Sequence, residues 1–155
     1  MNEILKDPAP SEVRRIILEE HAQLRSKLAE MEGAMIKVSG RQGGAEQEML
    51  NHLLQFNQMF LDHIALEEKI LRGILKTVDA WGEIRVKNMD EEHSRQRGQI
   101  QDLVKMMNEK SPSGYLNYLR DFVEELYRDM AIEEQDCLSA DVLRDDVISI
   151  NASSS

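Results

Sequence analysis

The chain has 155 residues, of which 41% are hydrophobic and 31% charged, a balance that fits one soluble globular domain with a sizeable core. The formal net charge of −10 argues against nucleic acids and anionic membranes as partners, because both bind positively charged faces. Cys137 is the only cysteine, which excludes an intramolecular disulfide. Residues 1–10 lack a signal-peptide pattern and no apolar run approaches the length of a membrane span, so the sequence predicts a cytoplasmic protein without a membrane partner.

The first predicted helix follows an N-terminal arm, residues 1–10. Pro8 and Pro10 prevent an earlier helix, and Ser11 can cap the one that follows. The segment SGRQGG at positions 39–44 then predicts a turn. Between these limits one stripe recurs every three or four residues, as in an amphipathic helix: Val13, Ile17, His21, Leu24, Leu28, Met31, Met35 and Val38.

The second and third predicted helices carry similar stripes. The second runs from about Ala45 to Lys76, and its stripe includes Met49, His52, Phe56, Met59, His63 and Ile70. Asp79 is a plausible cap for the third, which runs from about Ala80 to Glu109. The stripe of the third helix includes Trp81, Met89, His93, Ile100, Val104 and Met107.

The fourth predicted helix begins after the break SPSG at positions 111–114 and runs from about Tyr115 to Ala140. Its inner stripe includes Leu119, Phe122, Leu126, Asp129, Glu133 and Cys137. Residues 141–155 lose the periodicity and are predicted to form a partly disordered tail. Four helices with short connections predict an all-α fold, an up-down-up-down antiparallel four-helix bundle over residues 11–140. A coiled coil or helical oligomer is the alternative, which the turn signals disfavour.

Each predicted helix interrupts its inner stripe with ionisable side chains. At a rise of ~1.5 Å per residue, counting from the breaks brings all of them to one level of an antiparallel bundle: His21, His63, Glu67, His93, Asp129 and Glu133. Two of the pairs are spaced four residues apart and therefore share a helix face. Three imidazoles and three carboxylates in a dry core are strongly unfavourable unless they are paired or bind metal.

The chemistry of this set indicates a metal site. Imidazole and carboxylate ligands without thiolate suit iron, manganese or zinc. Glu67 and Glu133 lie on facing helices and could each bridge two ions. Six ligands are too many for one tetrahedral zinc and too few to saturate two octahedral ions, which favours a dinuclear site with open positions for a small ligand. The ferritin-like plan needs Glu-x-x-His twice, and only Asp90 before His93 approximates that pattern here.

Four segments resemble the hemerythrin-like (HHE cation-binding) family over about residues 11–140: EEHAQLR, FLDHIALEEKIL, DEEHSRQR and RDMAIEEQDCL. The most specific piece is HIALEE, on the second helix. The resemblance implies a four-helix bundle with a non-haem di-iron centre that binds or senses dioxygen, nitric oxide or peroxide, or takes part in iron handling. By that resemblance His21, His63, Glu67 and His93 fall on ligand positions of the family, and Glu133 matches its bridging carboxylate on the fourth helix. We predict His21, His63, His93 and Asp129 as terminal ligands, with Glu67 and Glu133 as bridges.

Two positions depart from the family pattern. Asp129 stands where the fourth helix of the family has a histidine, and Arg97 stands where oxygen carriers have a second histidine on the third helix. Fewer imidazoles and one more carboxylate make the predicted site harder and more anionic. That weakens the reversible oxygen-carrier interpretation and leaves manganese, zinc or a mixed site open.

Several residues close to the predicted ligands are expected to have other roles. Four glutamates adjoin predicted ligands but point about 100° away on their helices, so we expect them to flank the site or contact its ligands: Glu20, Glu68, Glu92 and Glu134. Arg25 and Arg97 could line the site or hold carboxylates at its rim, with surface ion pairs as the alternative. His52 lies about 16 Å from His63 along the helix axis, which excludes it as a ligand. Cys137 is expected to be a buried structural thiol.

Two alternatives to a metal- or oxygen-binding protein stay open at this point. An oxidase or peroxidase with two metal ions would turn over peroxide or oxidise ferrous iron. A metal-free interaction bundle would use the polar residues to set helix register. The sequence favours a binding protein over an enzyme.

Overall fold

The structure is a computed structural model that describes residues 8–109 and 112–145, and over these residues it contains helices and no strand. The helices are α1 (Pro10–Ser39), α2 (Ala45–Ile70), α3 (Arg72–Val78), α4 (Gly82–Glu109) and α5 (Pro112–Asp136). The four long helices form a ring in which α1 and α4 each pack against both α2 and α5, while α3 packs on α2 and α4. These antiparallel contacts confirm the predicted all-α bundle. None of the described helices is long and apolar enough to cross a membrane.

The second predicted helix, expected to reach about Lys76, is divided at Leu71, and this part of the prediction is wrong. The Leu71 backbone N–H still donates to the Glu67 carbonyl at 2.9 Å, so the interruption is local. Gly73 lies two residues beyond it, and glycine is a poor helix former. The break leaves the predicted ligands of α2 in its last two turns.

The α3–α4 connection is tight and has two sequence requirements. The Asp79 carboxylate accepts hydrogen bonds from the Trp81 backbone N–H at 2.9 Å and from Arg85 Nη1 at 2.6 Å. A Cβ on Gly82 would lie 2.1 Å from the Leu75 carbonyl oxygen, so only glycine fits. Trp81 is 61% exposed, which contradicts its predicted inner position. It lies in the turn before α4 begins and therefore outside the buried stripe of that helix.

The start of α1 and the segment after α5 pack together. α1 begins at Pro10, a favoured first position, and Ser11 does not cap it. Instead, the Ser11 backbone N–H and hydroxyl donate to the Asp145 carboxylate at 2.9 and 2.8 Å. Leu138 and Leu143 are buried beside this contact. The first residues of the predicted tail thus cover one end of the bundle, while residues 1–7 of the arm and 146–155 of the tail lie outside the described residues.

The core consists of two apolar clusters. In the larger cluster Phe56 stacks on Phe60 with ring centroids 5.4 Å apart, and Phe122 meets both rings edge-on at 6.3 Å. The smaller cluster comprises Val13, Ile17, Leu71, Leu75, Val86, Met89, Leu138 and Leu143. Between the two, the long helices contribute ionisable residues, called the polar layer below: His21, His63, Glu67, His93 and Glu133.

Candidate metal centre

The polar layer is buried where the helical periodicity predicts an apolar core. The three histidines and Glu67 are at most 5% exposed. On α1, for example, His21 follows Ile17 of the smaller cluster and precedes Leu24 of the larger one. His63 and Glu67 stand one turn apart on the same face of α2. Water is therefore largely excluded from these groups.

Glu67 lies at the middle of the polar layer. Its Oε1 is 2.9 Å from His93 Nε2, while its Oε2 is 3.0 Å from His63 Nε2 and 3.6 Å from His21 Nε2. His21 Nε2 is also 2.9 Å from Glu133 Oε1. One potential ligand atom from each of His21, His63, Glu67 and Glu133 lies within 4.8 Å of the others, and His93 joins this group through Glu67. Three imidazoles and two carboxylates thus converge from four helices.

The close packing of acids and bases shifts their proton affinities in opposite directions. Burial opposes protonation of His21 and His63, but hydrogen bonds to carboxylates outweigh it and raise the pKa to about 10 for His21 and about 9 for His63. Burial alone would raise the pKa of Glu67, yet the surrounding histidines hold it well below the ordinary value. The pKa of Glu133 is raised well above the ordinary value by burial and by the Glu67 charge.

Two buried ligand atoms have no hydrogen-bond partner within the described part of the chain: His21 Nε2 and Glu67 Oε2. His21 Nε2 is 2.9 Å from Glu133 Oε1, and Glu67 Oε2 is 3.0 Å from His63 Nε2, but neither contact is aligned for a hydrogen bond. Both residues line a cavity of about 20 Å³, room for about one water-sized group. Unpaired polar atoms in a dry core are costly. An imidazole nitrogen and a carboxylate oxygen are a donor set that a divalent metal ion prefers, so these residues fit a metal ion.

Each histidine of the layer is also held from behind by a carboxylate of a neighbouring helix. The Nδ1–H groups donate across helix boundaries, from His21 to Glu134 (2.7 Å), from His63 to Glu20 (2.7 Å) and from His93 to Glu68 (3.0 Å). A donating Nδ1–H leaves the Nε2 lone pair directed at the centre. This carboxylate–histidine arrangement is the one that orients and strengthens metal-ligating imidazoles.

Two arginines hold these outer carboxylates in turn. Arg25 binds both oxygens of Glu134 at 2.7 and 3.0 Å, and Arg97 binds both oxygens of Glu68 at 3.0 and 2.9 Å. Holding carboxylates at the rim was one of the predicted roles for both arginines. The glutamates were expected to flank or contact the ligands, but sequence spacing could not pair them with histidines, because every pair joins two different helices.

The structure does not bring Asp129 into the group around Glu67. Its Oδ2 accepts hydrogen bonds from Arg95 Nη2 and Gln96 Nε2, both at 3.0 Å, while Met130 is buried beside it. Gln96 itself is only 4% exposed and was not predicted as part of the site. Glu92 lines the same cavity as Asp129. Burial and the neighbouring Asp129 raise the pKa of Glu92 to about 7.

Two further residues lie away from the convergence point. His52 Nδ1 is 3.0 Å from Lys27 Nζ, so the fourth histidine contacts a partly buried lysine and not the polar layer. Cys137 is half-buried. Burial raises the pKa of its thiol to about 12, which keeps it protonated at neutral pH.

Comparison with known proteins adds no family to this description. No protein-family model matches the chain, and no curated protein or solved structure matches it significantly. The function therefore has to be inferred from the residues of the bundle and its buried His/Glu group.

Proposed function

We propose that the chain is a hemerythrin-like protein whose polar layer holds two iron ions and binds or senses a small ligand, dioxygen, nitric oxide or peroxide, or serves iron handling. The observation that carries the proposal is the pair of unpaired buried ligand atoms, His21 Nε2 and Glu67 Oε2, within a group of imidazoles and carboxylates. The segment HIALEE, which resembles the second helix of that family, contains two members of this group, His63 and Glu67.

The two oxygens of Glu67 support a dinuclear centre. Oε1 faces His93, whereas Oε2 faces His63 and His21, so one carboxylate contacts imidazoles on opposite sides. Glu67 and Glu133 would act as bridges and the histidines as terminal ligands. The assignment of Asp129 as a further terminal ligand stays a prediction. Because the set is rich in carboxylates, manganese and zinc are the alternative metals.

The chain itself would limit what reaches the metal. An iron pair held there would supply redox-active metal with open coordination positions for dioxygen, nitric oxide or peroxide. The apolar clusters on both sides of the layer exclude bulk water. The cavity of about 20 Å³ restricts direct ligands to roughly the size of water or a diatomic molecule. The carboxylates behind the histidines keep each imidazole directed at the centre.

Elemental analysis of untagged protein from iron-replete cells, with an electronic spectrum in air, tests this proposal. We expect two irons per chain and a near-ultraviolet charge-transfer band. Two manganese or zinc ions would retain the centre and change its metal, while a metal-free folded chain would contradict the proposal and favour the interaction bundle. Turnover of peroxide or ferrous iron by the same preparation would indicate an oxidase or peroxidase.

A further inference from the structure

A surface groove of about 430 Å³ lies over the boundary between α4 and α5, here called the α4–α5 seam. Its walls include Glu92, Asp129, Glu133, Asp136 and Ile132. The first three of these side chains also line the small cavity at the polar layer. The groove and the buried centre therefore share walls at three carboxyl groups, which no other described groove does.

The other three boundaries between long helices are closed at this level. His21 and Glu134 join α1 to α5, His63 and Glu20 join α1 to α2, and His93 and Glu68 join α2 to α4. In each case an imidazole and a carboxylate form a direct contact between the two helices. At two of these three boundaries an arginine also binds the carboxylate.

The α4–α5 seam has the corresponding positions but not the corresponding pair. Glu92 precedes His93 as Glu20 precedes His21, and Asp129 stands four residues before Glu133 as His63 does before Glu67. With aspartate at position 129, two carboxyl groups occupy the place where the other boundaries have an imidazole and a carboxylate. Asp129 is instead joined to α4 by hydrogen bonds from Arg95 and Gln96, and among the described residues no imidazole–carboxylate pair closes this boundary.

Carboxyl groups dominate the seam, and Asp129 and Asp136 give it most of its negative charge, because the pKa values of Glu92 and Glu133 are raised. Arg85, the one cation on the groove wall, is ion-paired with Asp79 at 2.6 Å. Arg95 is shared, lying 2.7 Å from Glu125, 3.0 Å from Asp129 and 3.9 Å from Glu92. The carboxyl groups thus outnumber the cations that face them. A cleft lined by one sign of charge concentrates ions of the opposite sign.

We propose that the α4–α5 seam is the route by which a hydrated divalent metal ion reaches the polar layer. Glu92 and Asp129 bind the ion transiently through oxygen and pass it to the unpaired His21 Nε2 and Glu67 Oε2 at the inner end of the cavity. A hydrated divalent ion can exchange bound water for carboxylate oxygens before imidazole nitrogens bind it. This inference rests on the proposed metal centre and adds a role for Asp129 other than that of a permanent ligand.

The rate of metal uptake tests the route separately from the capacity of the centre. Metal-free full-length protein is mixed with Co²⁺ at low ionic strength, and the visible absorption of bound cobalt is followed to completion. Glu92→Gln should slow uptake by about tenfold while leaving the final number of ions per chain unchanged, and Asp129→Asn should slow uptake to a similar degree. Asp62→Asn, the same charge change on an exposed part of α2, is the matched control and should load at the wild-type rate.

A second comparison uses a variant that blocks the groove without changing its carboxyl groups, together with a matched control. Ile132→Lys places bulk and positive charge at a groove residue that is 48% exposed. Ile36→Lys makes the same change on α1 at a 72% exposed position, about 22 Å along the helix from His21. Ile132→Lys should slow uptake and Ile36→Lys should not.

The possible results separate the route from the centre. Equal uptake rates in wild type, Asp129→Asn and Ile132→Lys would overturn the route and leave the centre intact. Fewer ions per chain in Asp129→Asn would overturn the transient role, because that residue would then be a permanent ligand. A wild-type chain that takes up no metal would overturn the proposed function and the route together.

Discussion

The polar layer and the larger apolar cluster next to it are built by the same four helices with the same spacing of buried residues. In the apolar cluster, Phe56, Phe60 and Phe122 gain stability from leaving water. In the polar layer, burial of ionisable groups is unfavourable, and the contacts among His21, His63 and Glu67 offset part of that cost. The difference indicates that the cluster serves folding, whereas the layer has the residues that could bind a metal ion.

The largest expected effect is a loss of folding stability caused by a substitution in the larger apolar cluster. Phe122→Ala should lower the free energy of unfolding by about 3–5 kcal/mol, because it removes a buried ring and leaves a cavity. Urea denaturation of the metal-free protein measures the loss. The folded fraction should still bind the wild-type number of metal ions. If metal binding fell instead while stability stayed near that of the wild type, the two regions would not be separable.

The second expected effect is a pH dependence of folding stability that differs between the metal-free and the metal-loaded protein. The carboxylates raise the pKa of His21 to about 10 and of His63 to about 9 in the folded state, above the ordinary 6.5. Their contribution is fully present below pH 6.5 and is lost as pH rises through 9 to 10. The metal-free protein should therefore lose several kcal/mol of stability between these limits, because one pKa unit corresponds to about 1.4 kcal/mol.

The metal-loaded protein should lack this loss, because imidazole binds metal in its neutral form. Parallel urea titrations of both forms from pH 6.5 to 10 measure the difference in unfolding free energy. Curves that fall together would show that the histidines are not ligands in the loaded state.

A smaller effect is expected from the carboxylates behind the histidines. Glu68→Gln and Glu134→Gln should each weaken metal binding by about 10–100-fold, because the histidine loses a charged acceptor while its Nε2 stays in place. Competition with a chelator of known affinity measures the change. Glu19→Gln, on the exposed face of α1, is the matched control. Equal affinities in Glu68→Gln, Glu134→Gln and the control would limit the outer pairs to a structural role.

The smallest effect should follow from His52→Ala. His52 contacts the partly buried Lys27 and lies outside the polar layer, so its removal should change stability by about 1 kcal/mol or less and leave metal content unchanged. Metal analysis and denaturation of the same sample check both parts. A loss of metal here would place a ligand outside the polar layer.

Much of the fold follows from periodicity alone. All eight residues of the predicted α1 stripe, Val13 to Val38, are buried, and the turn at 39–44 separates α1 from α2 as predicted. The height at which His21, His63, Glu67, His93 and Glu133 meet follows from residue counts, because the rise of a helix is constant. These features depend on one helix at a time.

What the sequence could not predict depends on how helices face one another. The pairing of Glu20 with His63 requires the relative rotation of α1 and α2, which no spacing within a helix determines. Asp129 lies on the predicted face by spacing, but its hydrogen bonds from Arg95 and Gln96 of the neighbouring helix do not follow from that spacing. The sequence predicts Trp81 to be buried because it predicts a helix from about Ala80, whereas α4 starts at Gly82.

The most direct test compares metal content in wild type and Glu67→Gln, a change that keeps the shape of the side chain at the middle of the layer. Both proteins are freed of metal, reloaded with ferrous iron without oxygen, desalted and analysed for iron per folded chain. We expect two irons in the wild type and at most a small residue of iron in Glu67→Gln, while His52→Ala keeps two. Equal iron in wild type and Glu67→Gln, or none in either, would contradict a metal centre in the polar layer.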